Sequence, residues 1–382
     1  MKIAIDGSLL GARFSGVERS VGQTVAALAR AAGPDDELLL FVGDGFDDYA
    51  AAYLPEGLEP GGRLRVVRCA LDNRARGARL WWQQVVLPRL VQQQRADVFH
   101  GPAYVLPLAL DLPSVLTVYD LLALDRPEFA TTSNRLHYRL TLPASLRHAT
   151  RILAPSEDTR RAIARRVPAV AERCRVAPLG VESRFFEVAA EAVAAVRERF
   201  RLPQRYLLWV GNVEPKKNLG VLLRALELLK LRDRQVPKLV LAGQLSWGTH
   251  ELMKTFLEAG LQSAVTFLGR VGDAELPGLY GGACGFLFPS LAEGFGLPPL
   301  EALAAGLPTA VANAGALPEV VGEAALLVEP GDVEGWAAAL EQLADDEPLR
   351  ADLAGRAPGR AAEFSWDRTA DAIWRIYREV VA

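Results

Sequence analysis

Short apolar runs alternate with amphipathic stretches, and that alternation restarts midway along the chain. Together these two observations predict an α/β protein of two doubly wound parallel-sheet (Rossmann-like) domains. A third agrees with them: 382 residues, half of them hydrophobic, exceed one ordinary core and supply two. The restart puts the first domain at residues 1–187 and the second at 188–365.

In chain order, Lys2–Ile5 reads as a first buried strand, followed by a glycine-containing turn and a helical pattern over Val17–Ala31. Further strands are expected at Glu37–Val42, Leu64–Val67, Asp97–Phe99, Ser114–Val118 and Arg151–Ala154. Val188–Leu202 is a helix and linker. The second series runs through Tyr206–Val210, the helix Leu219–Lys230, and strands at Lys238–Ala242, Val265–Leu268, Gly285–Phe288 and Pro308–Ala312. Sheets of this kind bind ligands at the carboxyl ends of their strands. Two such domains facing each other make a cleft, the default place for a two-substrate site.

Composition narrows the function. Cys69, Cys174 and Cys284 are far apart and odd in number, which excludes a disulfide framework or a zinc pattern and fits a reducing cytoplasm. The opening MKIAIDGSLL lacks a signal peptide's apolar stretch. A long uncharged run, Leu276 to Ala292, is broken by Pro277, Pro289 and four glycines, so no membrane span is expected. The net charge of −3 is uneven: residues 1–183 carry 23 Lys and Arg against 20 Asp and Glu, and the remainder nets −6. A mildly basic first half suits an anionic surface or acceptor, or is an ordinary arginine-bearing surface.

The most informative stretch runs from Pro289 to Pro308. A strand ends at Phe288, a loop carries Glu293, Gly294 and Gly296, and Pro298 and Pro299 suit a helix's first turn, with Glu301 just inside it. Free amides in such a loop, ahead of a helix N-terminus, favour an anion such as a diphosphate. Two carboxylates there would repel that anion, so they are better placed as acceptors for neutral hydroxyls, as on sugar rings. Spacing equally allows Glu301 as a helix-dipole partner and Glu293 as a loop surface charge. The second stretch, Gly211 to Leu219, turns at a glycine after a strand, holds Lys216 and Lys217, and offers Asn218 as an N-cap. Two lysines beside a helix N-terminus make a phosphate pocket or a solvated surface pair. His100 sits at a strand's carboxyl end, as a ligand contact or a packed residue. The loop Ser8–Arg19 lacks the spacing of a dinucleotide fingerprint, which excludes a nicotinamide site.

The stretch from Glu293 to Pro308 resembles the paired-glutamate motif of glycosyltransferase family 4, with its "EALAxGxP" tail. The resemblance extends through Phe267–Val271, Asn313–Gly322 and Leu327–Asp332, and it looks like the mannosyltransferase-like branch. Glu214-Pro-Lys-Lys-Asn218 is similar to "EPKKN". Asp97–Pro107 is similar to "DVxHxPxxxLP", and Thr117–Leu121 to "TIHDL" with Tyr119 in place of the usual histidine. Gly16-Val-Glu-Arg19 is similar to "GVER", and Val176–Val181 to an "xxPxGV" turn.

This resemblance implies a GT-B architecture, with a last helix over 366–382 that crosses back to the first domain. It implies a retaining hexosyltransferase, mannose-type favoured, using a nucleoside-diphosphate sugar in polysaccharide or glycolipid synthesis. It assigns ribose hydroxyls to Glu301, sugar hydroxyls to Glu293 and the diphosphate to Lys217, aided by Lys216. Backbone contacts fall to Gly211, Phe295, Gly296 and Leu297. Arg270 and Val271 lie beside the base, and Gly16 lets backbone approach phosphates or acceptor. His100 approaches the donor sugar, and Tyr119 and Asp120 face the acceptor, Asp120 being equally a strand-end cap. Family members often carry a second basic residue near Asn212, absent here. No metal or cofactor is implied, since there is no Asp-x-Asp cluster; the first donor is GDP-mannose, with UDP- or dTDP-sugars next. The expected acceptor is a saccharide or lipid-linked saccharide, with no nucleic acid, in the cytoplasm and in possible peripheral contact with the inner membrane face. A phosphorylase or epimerase of the same fold and a non-catalytic nucleotide-sugar-binding relative are the rivals.

Overall fold

The computed structural model describes residues 1–11, 15–52 and 62–382. Residues 12–14 of the Ser8–Arg19 loop lie outside them. The chain divides into two compact units, Met1–Gly180 with Ser365–Ala382, and Val181–Phe364. The crossing falls at 180/181 rather than at 187/188, because the chain is captured by the second unit at once. The Val181 amide donates to Phe364 O (3.1 Å), and the Phe185 ring stands edge-on against Tyr280 at 5.7 Å.

Among the described residues the first unit holds seven parallel strands: β1 (Lys2–Asp6), β2 (Glu37–Val42), β3 (Leu64–Arg68), β4 (Val98–Gly101), β5 (Ser114–Thr117), β6 (Arg151–Ala154) and β7 (Cys174–Val176). Their order is β3-β2-β1-β4-β5-β6-β7. The second holds β8 (Tyr206–Val210), β9 (Lys238–Ala242), β10 (Val265–Gly269), β11 (Gly285–Phe288), β12 (Thr309–Ala312) and β13 (Leu326–Val328), in the order β10-β9-β8-β11-β12-β13. Central strands such as Ile3-Ala-Ile5 and Phe286-Leu-Phe288 are fully buried, as a parallel sheet covered on both faces requires. The expected strands are all present within a residue or two. The two that sequence does not reveal, β7 and β13, are three-residue edge strands too short to show a period.

In each sheet the strand order reverses at one point: between β1 and β4 in the first unit, between β8 and β11 in the second. At such a switch point the flanking connections leave in opposite directions and open a crevice at the carboxyl ends. The C-terminal helix Trp366–Val381 belongs to the first unit. Its face of Trp366, Ala370, Ile373, Trp374, Ile376 and Tyr377 is buried, and the Trp374 indole donates to Leu28 O at 3.1 Å in the helix Gly16–Ala31. Among the described residues no helix is long and apolar enough to cross a membrane.

Candidate active site

The second unit's switch point gathers the two informative stretches. After β8 the chain passes Gly211, whose amide donates to Ala242 O (2.9 Å), and enters a 3-10 turn over Pro215–Lys217. After β11 it passes Pro289 and Ser290 into the Glu293 loop and the helix Leu297–Ala304, whose first turn holds Pro298 and Pro299. Backbone and side-chain contacts join the two loops: the Leu291 amide donates to Lys216 O (2.8 Å), and Ser290 Oγ lies 3.2 Å from the same carbonyl oxygen.

At the centre the Lys217 ammonium donates to Glu293 Oε1 at 2.5 Å, and the Ser290 hydroxyl donates to the same oxygen at 2.5 Å. Lys216 Nζ stands 3.8 Å from Glu293 Oε2 and 3.6 Å from Glu214. Lys217 also lies over the Phe288 ring, 4.8 Å from its centroid. Burial alone would raise the Glu293 carboxyl, but Lys216, Lys217 and Ser290 outweigh it and hold it at about 2. Burial draws the Lys217 ammonium below its ordinary range against the pull of Glu293. The result is a nearly buried ion pair, neither a solvated lysine pair nor a surface glutamate.

Asn218 does not cap its helix. Its backbone is left-handed (φ 54°), and its side-chain amide donates to Pro289 O (3.2 Å) and Pro330 O (2.8 Å). It therefore staples the lysine loop to the loop after β11 and to the segment after β13, a role that the strand–turn–helix pattern does not reveal.

Glu301 is the fifth residue of the helix Leu297–Ala304, so it lies beyond the first turn and the dipole reading fails. It is 2% exposed and accepts a hydrogen bond from the Tyr280 hydroxyl at 2.9 Å. Phe295 turns its ring inward, edge-on to Phe364 at 5.7 Å, which leaves its backbone at the site. Gly296 has φ 121°, and a Cβ there would come within 2.8 Å of Leu317 Cδ2. Leu297 is half-buried at the start of the helix. Gly315 was not singled out from sequence. With φ 56° it lets the Glu293 backbone pass where a Cβ would stand 2.7 Å from Glu293 O, and the Ala316 amide donates to that oxygen at 3.1 Å. Arg270, exposed, and Val271, half-buried, follow β10 at the same sheet end, two strands from β8.

Within the first unit the structure buries one of the expected site residues. His100 is 0% exposed, because β4 continues to Gly101 and the ring turns into the sheet's cover. Nδ1 meets the Tyr377 hydroxyl at 2.6 Å and Nε2 meets Thr117 Oγ1 at 2.8 Å. Burial pushes its pKa down to about 3. Both nitrogens are engaged, so His100 holds the C-terminal helix to β4 and β5. Tyr119, 7% exposed, packs edge-on against Tyr104 at 5.9 Å. Asp120 Oδ1 accepts the Leu122 amide at 3.1 Å. Gly16 opens the helix Gly16–Ala31, and a Cβ there would meet nothing within 4 Å. The bond network around it belongs to Ser15 and Glu18, a reciprocal capping box legible in the spacing Ser-x-x-Glu.

Comparison with known proteins agrees with this architecture. The family profile "Glycosyltransferase Family 4" matches residues 14–185, and "Glycosyl transferases group 1" matches residues 194–360. The chain is 32% identical over 282 residues to O-antigen chain mannosyltransferase B of Escherichia coli, covering 74% of each protein. It is 29% identical over 279 residues to the serotype-specific mannosyltransferase WbdA of Escherichia coli, covering 71% of this chain and 34% of that longer protein. Among solved structures, Anabaena HepE in complex with UDP and glucose superposes with a TM-score of 0.75 at 19% identity, covering 99% of this chain and 100% of that one. WaaG, a glycosyltransferase involved in lipopolysaccharide biosynthesis, gives 0.72 at 17% identity, covering 99% of each.

Proposed function

Because this chain belongs to glycosyltransferase family 4 and has the GT-B fold, we propose that it is a retaining hexosyltransferase that moves a mannose-type sugar from a nucleoside diphosphate to an acceptor hydroxyl. The observation that carries the reading is the Lys217–Glu293 pair at the β8/β11 switch point, backed by a helix N-terminus. In this reading Lys217, with Lys216, faces the diphosphate, Glu293 accepts hydroxyls of the sugar, and Glu301 accepts those of the ribose. The amides around Gly296 and Leu297 face the anion, and no side chain caps that helix.

When the anomeric carbon–phosphate bond breaks, the departing diphosphate gains negative charge. A fixed ammonium therefore binds the transition state better than the ground state. The acceptor oxygen attacks the same face of the anomeric carbon, and its proton passes to the leaving phosphate oxygen. The configuration is thereby retained without a protein nucleophile. The mannosyltransferase relatives favour GDP-mannose as donor; a UDP-sugar is the second reading, favoured by the UDP in the HepE complex. A lipid-linked saccharide at the inner membrane face, in polysaccharide or glycolipid synthesis, is the acceptor that fits best.

Ligand binding to the folded state raises the melting temperature, so a thermal-shift panel of GDP, UDP, dTDP and ADP reads the base. Nucleotide release from the matching sugar donor, with and without acceptor saccharides, reads the reaction. No shift with any of the four nucleotides would overturn the donor assignment.

A further inference from the structure

The first unit carries a second crevice at its own switch point. A cavity of 180 Å³ opens where β1 and β4 end, lined by residues after each of them and by the helices Arg76–Val85 and Thr132–His148. It is smaller than the ~300–1,000 Å³ of drug-sized sites and takes a group the size of one sugar residue.

Its chemistry is uneven. Arg76 and Arg79 stand three apart on one helix and so share a face. His137 approaches from the other helix, and Arg76 Nη1 joins the two by donating to Ser133 Oγ at 3.2 Å. The three groups sense one another: burial first, then the charges of Arg76 and Arg79, hold His137 below its ordinary range. Tyr104 and Tyr138 form an aromatic wall, ring centroids 5.0 Å apart, and Asn134 adds an amide. The carboxylates on the opposite wall already accept protein donors. Asp6 takes the Ser8 amide (2.9 Å) and the Gln83 amide (2.6 Å), and Glu18 takes the Ser15 amide (2.6 Å). The cavity thus joins an aromatic surface for a sugar ring to a half-buried cationic corner, and guanidinium forks match the geometry of phosphate and carboxylate.

We propose that this cavity takes an acceptor saccharide carrying an anionic group, a phosphate or a carboxylate, held by Arg76, Arg79 and His137 while its ring packs on Tyr104 and Tyr138. This assignment rests on the transferase reading and names its acceptor class. It also explains where a locally basic first unit uses its charge.

The test measures binding to the whole protein by calorimetry without donor, so that it stands apart from turnover. Mannose 6-phosphate, glucuronate and mannose are the probes, with inorganic phosphate alone as a fourth. The phosphorylated sugar binds at least tenfold tighter than mannose, and Arg76→Gln and Arg79→Gln each lower that affinity about 10–100-fold, as loss of one charge-assisted hydrogen bond requires. Arg79→Lys recovers part of it. Glucuronate binding as well as the phosphate ester assigns a carboxylate as the native anion; tight binding of phosphate esters alone assigns a phosphate. Equal affinity for mannose and mannose 6-phosphate, or arginine variants with unchanged affinity, overturns the proposal. Nucleotide-induced thermal shifts, unaltered in the same variants, report that they are folded. Anion-dependent sugar binding without any nucleotide shift would instead sink the donor reading and leave the cavity as an anionic-sugar site with no acceptor role.

Discussion

At the scale of single residues, the proposed chemistry is tested at the Lys217–Glu293 pair. Lys217→Met removes the ammonium while keeping a long apolar side chain over Phe288, and turnover should fall about 10²–10³-fold, the loss typical of one preorganised charge-stabilising group. Steady-state nucleotide release checks it, and wild-type rates would exclude Lys217 from the transition state. The same variant leaves Glu293 with Lys216 and Ser290 as its partners, so some stability is lost as well, and a melting curve separates the two effects. Glu301→Ala strands the Tyr280 hydroxyl in a buried site and should destabilise the second unit by about 1–3 kcal/mol, whereas Glu301→Gln keeps an acceptor for that hydroxyl. Nucleotide binding that falls in both variants, with stability lost only in the alanine, would distinguish the ribose contact from the structural one.

At the scale of elements, loops joined by buried polar bonds hold the site in place. Gly315→Val puts a β-branched side chain at φ 56° against the Glu293 backbone; activity should drop at least tenfold while the sheet around β11 and β12 survives. Hydrogen exchange checks this, with protection lost in the 290–297 loop and kept in the strands. In the first unit, His100 binds β4 and β5 to the C-terminal helix as a neutral ring. Its folded pKa of about 3 lies below the ordinary 6.5, so the native state takes up its proton later than the unfolded chain does. The stabilisation is complete above pH 6.5 and declines by about 1.4 kcal/mol per pH unit as pH falls toward 3. Glu293, held at about 2 against an ordinary 4.5, adds a loss of the same sign that begins only below pH 4.5. The melting temperature of the wild type should fall from pH 6.5 downward, and His100→Gln should flatten the upper part of that limb; an unchanged limb would show that the His100 ring does not set it.

At the scale of the whole molecule, both units apply one topological rule, and both place their polar clusters where strand order reverses. The alternation of strands and helices, its restart, the Pro-Pro helix start and the Glu293–Glu301 spacing were readable along the chain, because each is a local pattern of period or turn chemistry. The C-terminal helix was readable by its apolar face, and Trp374→Ala should destabilise the first unit by about 3–5 kcal/mol, as a melting curve of that variant would show.

Other properties were set only by contacts between segments far apart in sequence. His100 looked like a strand-end ligand until Tyr377, 277 residues away, took one of its nitrogens. Asn218 looked like a cap until Pro289 and Pro330 claimed its amide. Gly315 looked like one glycine among 33 until the Glu293 backbone passed over it. The sequence by itself determined the elements, their order and the residue types available for chemistry, because those depend on neighbours within a few turns. Only the tertiary structure decided which polar groups remain at a crevice and which are consumed inside the fold, because burial and hydrogen-bond partners come from the packing of distant segments.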